Sequence, residues 1–477
     1  MLSQSDLQSH SIRGIYLSLD QPRFRRLIAL KPIGKNSWST FAGLAFVLLV
    51  GGAAFGDDWP QWLGPRRDAD WRESGIIARF PNEGPAVRWR AKIAAGYTGP
   101  AVAEGRVYVI DRLLAEGAKN HAEPFPMRPG KVIPGSERVL CLDESDGHLL
   151  WEHEYDCPYT VSYPLGPRTT PTVHDQKVYT LGTEGHLWCL EVDSGKPVWS
   201  RSLKEDYHVK SPIWGFSAHP LVDGQKLICI VGGEGSTVVA FDKDTGKELW
   251  KALTAVDPGY CPPMIYEAGG KRQLVIWHGE AVNGLDPETG EVYWTHAAKT
   301  YQGMSIATPR KFGDSLFVSA YPNTALMLRF DPDSPQAALA WRGEQKTGLY
   351  CTFSTPFFED GHLYGIQSGG FLACVKADSG ERLWQTMDHI GGRPAGSVEC
   401  FLVKNGDRFF VFTEKGDLII ARLNPKGYEE ISRAHLLDPS STGFGRDVLW
   451  SHPAFANRNI YLRNDKEIIS VSLAAER

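Results

Sequence analysis

The chain has 477 residues, 42% of them hydrophobic and 22% charged, with a formal net charge of −5, the balance of an ordinary folded protein. Arg13, Arg23, Arg25, Arg26, Lys31 and Lys35 against Asp6 and Asp20 give residues 1–56 a charge of +4, which leaves a mildly acidic body. No Lys/Arg-rich run follows, so the composition excludes a nucleic-acid binder.

The N-terminus reads as an export segment. Residues 36–56 carry no charge, and their core is "FAGLAFVLLVGGAAF" (Phe41–Phe55), preceded by the basic region. "AFG" (Ala54–Gly56) places small residues ahead of a cut before Asp57, which is the pattern of a secretory signal. The second reading is an uncleaved membrane anchor, since the stretch just reaches bilayer length. On either reading any membrane contact is confined to this segment, the chain is exported to the periplasm or cell envelope, and residues 57–477 form the folded body.

The body repeats itself. "FDKDTGKELW" (Phe241–Trp250) returns as "CLDESDGHLLW" (Cys141–Trp151), "CLEVDSGKPVW" (Cys189–Trp199), "GLDPETGEVYW" (Gly284–Trp294) and "CVKADSGERLW" (Cys374–Trp384). The leading positions are Asp143, Glu191, Asp242, Asp286, Asp331 and Lys376, spaced by 48, 51, 44, 45 and 45 residues. Each unit reads as four short alternating strands, A to D, between Gly/Asp/Asn turns, and such periods belong to propeller blades. The pattern predicts an all-β, eight-bladed propeller of four-stranded antiparallel blades. Its last unit lacks strand D, which "GPAVRWRAKI" (Gly84–Ile93) supplies from the N-terminal end, closing the ring.

The repeated residues read as structural. Gly147, Gly195, Gly246, Gly290 and Gly380 are expected in tight C–D turns. Trp89, Trp151, Trp199, Trp250, Trp294, Trp341 and Trp384 are expected to wedge between blades, each burying about 150–250 Å². A Pro/Gly/charged insertion, residues 112–137, interrupts unit one and reads equally as a binding loop or as surface decoration. Four of the eight cysteines lie in apolar strand patterns; one or two disulfides stay open, whereas a cysteine metal site is excluded by the spacing.

The motif Ala/Cys-x-Asp-x-x-Thr/Ser-Gly-x-x-x-Trp resembles the repeat of the pyrroloquinoline-quinone (PQQ) family, which includes quinoprotein dehydrogenases and the propeller of the outer-membrane assembly factor BamB. "DWPQWLGPRRD" (Asp58–Asp68) is also similar to the start of many mature proteins of this kind. The resemblance covers roughly Asp58 to Leu473. It implies either a non-enzymatic scaffold of the bacterial envelope or an alcohol or sugar oxidoreductase using PQQ with calcium. The dehydrogenases' adjacent cysteine pair, haem motif and Glu/Asn/Asp calcium set find no match here, so no catalytic, cofactor or metal residue is carried over, and the scaffold is the first expectation.

The D–A loops all emerge on one face around the channel. Tyr97, Tyr163, Trp214, Phe216, Tyr260, Tyr350 and Trp450 give that mouth an expected aromatic lining. Arg168, Arg393 and Arg446 add positive charge, and His219 and His452 add titratable groups. This is a candidate pocket for a flat or anionic ligand, or a docking face for an envelope protein.

Overall fold

The computed structural model describes residues 57–120, 131–344 and 346–476. The expected signal or anchor in residues 1–56, and residues 121–130 of the insertion, lie outside them.

Eight four-stranded antiparallel sheets follow one another as blades. Seven are continuous in sequence: blade one runs from Ala101–Ala103 to Leu149–Asp156, blade seven from Cys400–Asn405 to Gly427–His435. Blade eight combines Ala454–Ala456, Asn459–Arg463 and Glu467–Ser472 with Val87–Lys92 from the other end of the chain. Trp89 sits on that closing strand and pairs with Ser470, so the ring is sealed by hydrogen bonds.

The repeat motif explains how neighbouring blades lock. In blade three, Asp242 accepts hydrogen bonds from the backbone N–H of Asp244 and Thr245, which holds the C–D turn. Gly246 closes that turn at φ 69°, where a side chain is strained. Trp199 of blade two lies flat over Gly246 and donates its indole N–H to the Lys243 carbonyl at 2.9 Å. Trp89, Trp151, Trp341 and Trp384 likewise donate to backbone carbonyls of the next blade at 2.7–2.8 Å. Trp294 does not: Pro335 holds the glycine's place in blade five, and Trp294 donates instead to Gln273 of its own blade.

All eight cysteines are buried free thiols. Strands B and C of blade one run further than the repeat suggests, since Arg112–Leu114 pair with Gly135–Glu137. The buried Glu137 carboxylate ties the base of this insertion to the ring by accepting from the Tyr155 and Tyr159 hydroxyls and the Thr183 backbone N–H.

The segment before the first strand fixes the site. Residues 57–80 cross the end of the ring formed by the A–B turns and touch most blades in turn. Trp59 pairs with Val102 of blade one, the Pro60 carbonyl accepts from Val173, and Asp70 bridges to Lys404 of blade seven. Its turns at Leu63, Gly64, Arg67 and Ala69 have positive φ, which aims Trp62 and Arg67 into the central channel.

Candidate functional site: the channel mouth

Trp62 lies across the channel, touching residues of blades three, five and eight. Its ring stacks on His219 at 4.1 Å between centroids and 6° between planes, meets the edge of His452 at 4.4 Å, and donates its N–H to the Thr308 hydroxyl at 3.1 Å. Both histidines are clamped by Thr170, whose backbone N–H donates to His219 Nδ1 at 2.8 Å and whose hydroxyl lies 2.5 Å from His452 Nε2. Burial holds His219 well below the ordinary histidine range and pushes His452 down to about 3, so the floor carries two neutral imidazoles. His219 accepts at Nδ1, so its proton sits on Nε2.

One charge lies directly beneath. The Arg67 guanidinium is 4% exposed and donates to the carbonyls of His219, Pro220 and Pro263 and to the Gln61 side chain. No carboxylate among the described residues pairs with it. Burial pushes its pKa down to about 10, so it stays cationic at neutral pH, and its charge is one reason His219 stays neutral. A buried cation neutralised only by carbonyl dipoles makes the floor electropositive.

Above this floor opens a cavity of about 520 Å³. Tyr97, Tyr163, Trp214, Tyr260 and Trp450 line it, as the loops suggest, together with Arg168, His219 and His452. The Trp214 and Tyr260 rings meet edge to face at 5.5 Å, and Tyr163 and Trp450 are 5.9 Å apart. Arg168 lies over the Tyr97 ring at 5.0 Å while donating to the carbonyls of Ser162, Tyr163 and Gly166.

Four expected residues do other work. Tyr350 is absent from the wall because its hydroxyl donates to the Glu344 carbonyl; its neighbours Thr352 and Phe353 line the cavity. Phe216 packs into the core between blades two and three, over Gly185. Arg393 is exposed and outside the cavity. Arg446 is neutralised by a two-pronged ion pair with the buried Glu414, at 2.7 and 3.1 Å.

Trp62, Arg67 and Glu399 are the residues that the loop pattern does not reveal. Glu399 lines the wall, and its carboxyl has no hydrogen-bond or ion-pair partner among the described residues. Burial, then the nearby charge of Glu414, raise its pKa well above the usual carboxylate range. By pairing register the proline that opens strand A in six blades (Pro100, Pro171, Pro220, Pro309, Pro356, Pro453) is replaced in blade seven by Leu402, and Glu399 lies three residues further back, in the loop.

Asp143, Asp146 and His148 bring ligand atoms within 4.8 Å of one another and could hold an ion. They sit on the C–D turn of blade one, none lines the cavity, and Asp143 already accepts from Ser145 as the repeat's turn aspartate.

A ring of eight four-stranded antiparallel blades around an aromatic mouth defines an eight-bladed β-propeller. The family profile described as "Outer membrane protein assembly factor BamB" matches residues 135–386 and 282–475, and the chain belongs to that family. Among curated relatives it is 24% identical over 286 residues to the outer membrane protein assembly factor BamB of Yersinia pestis, covering 57% of this chain and 67% of that one. It is 28% identical over 178 residues to the quinohemoprotein alcohol dehydrogenase ADH-IIG of Pseudomonas putida, covering 35% of this chain and 22% of the dehydrogenase. The chain thus spans about a fifth of the length of that dehydrogenase and about two thirds of that BamB. Among solved structures, BamB from Moraxella catarrhalis superposes with a TM-score of 0.53 at 16% identity, covering 81% of this chain and 98% of that one. A europium-containing methanol dehydrogenase superposes with a TM-score of 0.57 at 12% identity, over 87% and 89%. At these identities the superpositions speak for the fold alone.

Proposed function

We propose that this chain is an exported propeller of the cell envelope that binds a flat aromatic ligand of the quinone class in its channel mouth. The observation that carries the reading is the aromatic cavity of about 520 Å³ set over the uncompensated Arg67. Its volume and apolar walls suit a ring system of cofactor size, and its floor favours a partial or full negative charge. Envelope location and quinone class both draw on the relatives, whose names join outer-membrane assembly factors with quinohemoprotein alcohol dehydrogenases.

The calcium that accompanies PQQ in the dehydrogenases fits less well. Calcium takes six to eight oxygen ligands, several of them carboxylates. Among the described residues the cavity wall offers one carboxyl, Glu399, in an environment that opposes its ionisation. The site therefore supports the ring without supporting the ion, and no reaction step is assigned through calcium.

A second reading, a scaffold docking an envelope protein on the same face, is favoured by Tyr301 and Phe444. Both line the cavity yet are 53% and 52% exposed, as apolar docking residues would be. The two readings separate in a fluorescence titration of the full-length protein with PQQ. Saturable one-to-one quenching that Tyr260→Ala and Trp450→Ala weaken supports the ligand reading. Absence of quenching at high micromolar PQQ removes it and leaves the scaffold.

A further inference from the structure

We infer that Glu399 is the hydrogen-bond donor that orients the ligand, giving its proton to an acceptor oxygen on the ring, a quinone carbonyl above all. The inference rests on the ligand reading above and specifies which wall the oxygen faces, that of blades six and seven.

Three observations carry it. Glu399 is the one carboxyl on the cavity wall among the described residues, three residues ahead of the Leu402 that takes the proline's place in blade seven. Its neighbour Glu414 is fully engaged: Arg446 holds both carboxylate oxygens, and one of them also accepts from the Trp450 indole and the Glu399 backbone N–H. Glu399 itself has no such partner. On the same wall, in the adjacent loop of blade six, Thr352 is buried with a hydroxyl that makes no hydrogen bond among the described residues. Buried polar groups are almost always paired, so the Thr352 hydroxyl calls for a partner, and Glu399, partly exposed to the same cavity, is open to the same ligand oxygen.

The remaining groups leave Glu399 free to act as a neutral acid. Glu414 and Arg446 cancel one another, His219 and His452 are held neutral, and the adjoining Cys400 thiol is pushed up by burial. Arg168 is the charged group elsewhere on the wall, and three carbonyls already accept from it. A protonated carboxyl donates one short bond and accepts another, whereas its ionised form repels a carbonyl oxygen.

The test uses menadione, an uncharged naphthoquinone whose own charge does not change with pH. Its binding to the full-length protein is followed by tryptophan quenching between about pH 5.5 and pH 9.5. Wild type is expected to lose about tenfold in affinity as pH rises through the Glu399 titration, the worth of one buried hydrogen bond. Glu399→Gln keeps a donor that does not titrate, so it should bind with a flat profile. Glu399→Leu should bind about tenfold more weakly at low pH and match wild type at high pH. A ligand-free infrared measurement over the same pH range should show a protonated-carboxyl band that persists above the ordinary carboxyl range and that Glu399→Gln removes. Menadione binding with a flat wild-type profile, or the wild-type slope persisting in Glu399→Gln, or no such band, overturns the inference while leaving the ligand reading intact. No binding of menadione or PQQ at any pH overturns both.

Discussion

Trp199 of one blade and Gly246 of the next form a single joint: the indole lies on the glycine's backbone, and a Cβ placed there would come within 2.7 Å of the ring. The repeated motif is therefore half of a two-part fastener, its Trp serving the following blade and its Gly receiving the preceding one. Trp89 seats on Gly147 in the same way, so the fastener also operates across the closure between the two ends of the chain.

Gly246→Ala should cost about 2–3 kcal/mol, because it combines a left-handed backbone with displacement of the Trp199 ring. Gly224→Ala is the control, since Gly224 has φ 56° but nothing within 4 Å of the added carbon. It should cost about 1 kcal/mol. Urea unfolding of the two variants gives the comparison; equal losses would mean that the indole seat contributes nothing.

Arg67→Met should separate charge from shape. The charge beneath the floor disappears while a similar apolar volume remains, so affinity for the anionic PQQ should fall about tenfold, while uncharged menadione should bind within about twofold of wild type. Parallel titrations of both quinones read this directly, and equal losses for the two would point to a collapsed floor instead.

Acid should weaken the fold through the floor histidines. Their native pKa values are depressed relative to the unfolded chain, so below about pH 6.5 the unfolded state binds more protons. Their contribution is present above that pH and is lost as pH falls toward the native value, which for His452 is about 3. By pH 5 His452 should have removed about 2 kcal/mol, and His219 acts in the same direction. His452→Gln should lessen the slope of stability between about pH 6.5 and pH 5; an unchanged slope would place the acid sensitivity elsewhere.

Glu399 acts in the opposite direction. Its native pKa is raised, so its contribution is full below the unfolded carboxyl range and declines as pH rises through the native value. Glu399→Gln should therefore be more stable than wild type at alkaline pH and equal to it near pH 4. Thermal unfolding at both ends of the range checks the sign, and a destabilised variant at high pH would contradict it.

The architecture was legible because its signals are local and repeated. Asp242, Gly246 and Trp250 lie within nine residues of one another, and their recurrence announces the blade, its turn and its period. The mouth was legible in part. Tyr97, Tyr163, Arg168, Trp214, His219, Tyr260, Trp450 and His452 do converge, because D–A loops of a propeller must share one face. What a loop residue does there depends on partners from other blades. Arg446 is cancelled by Glu414, 32 positions earlier, and Tyr350 turns aside to a carbonyl in its own loop. Trp62 and Arg67 escaped notice for the same reason: they reach His219, Thr308 and Pro263 across 152 to 246 positions, through a segment with no repeat of its own.

The central claim is that the cavity over Trp62 and Arg67 takes a quinone-type ring without needing calcium. Calorimetric titration of the full-length protein with PQQ, once with calcium and once with a chelator, tests it most directly. One equivalent bound with the same affinity in both is the predicted result. No heat at high micromolar PQQ, or binding that appears only with calcium, would contradict it.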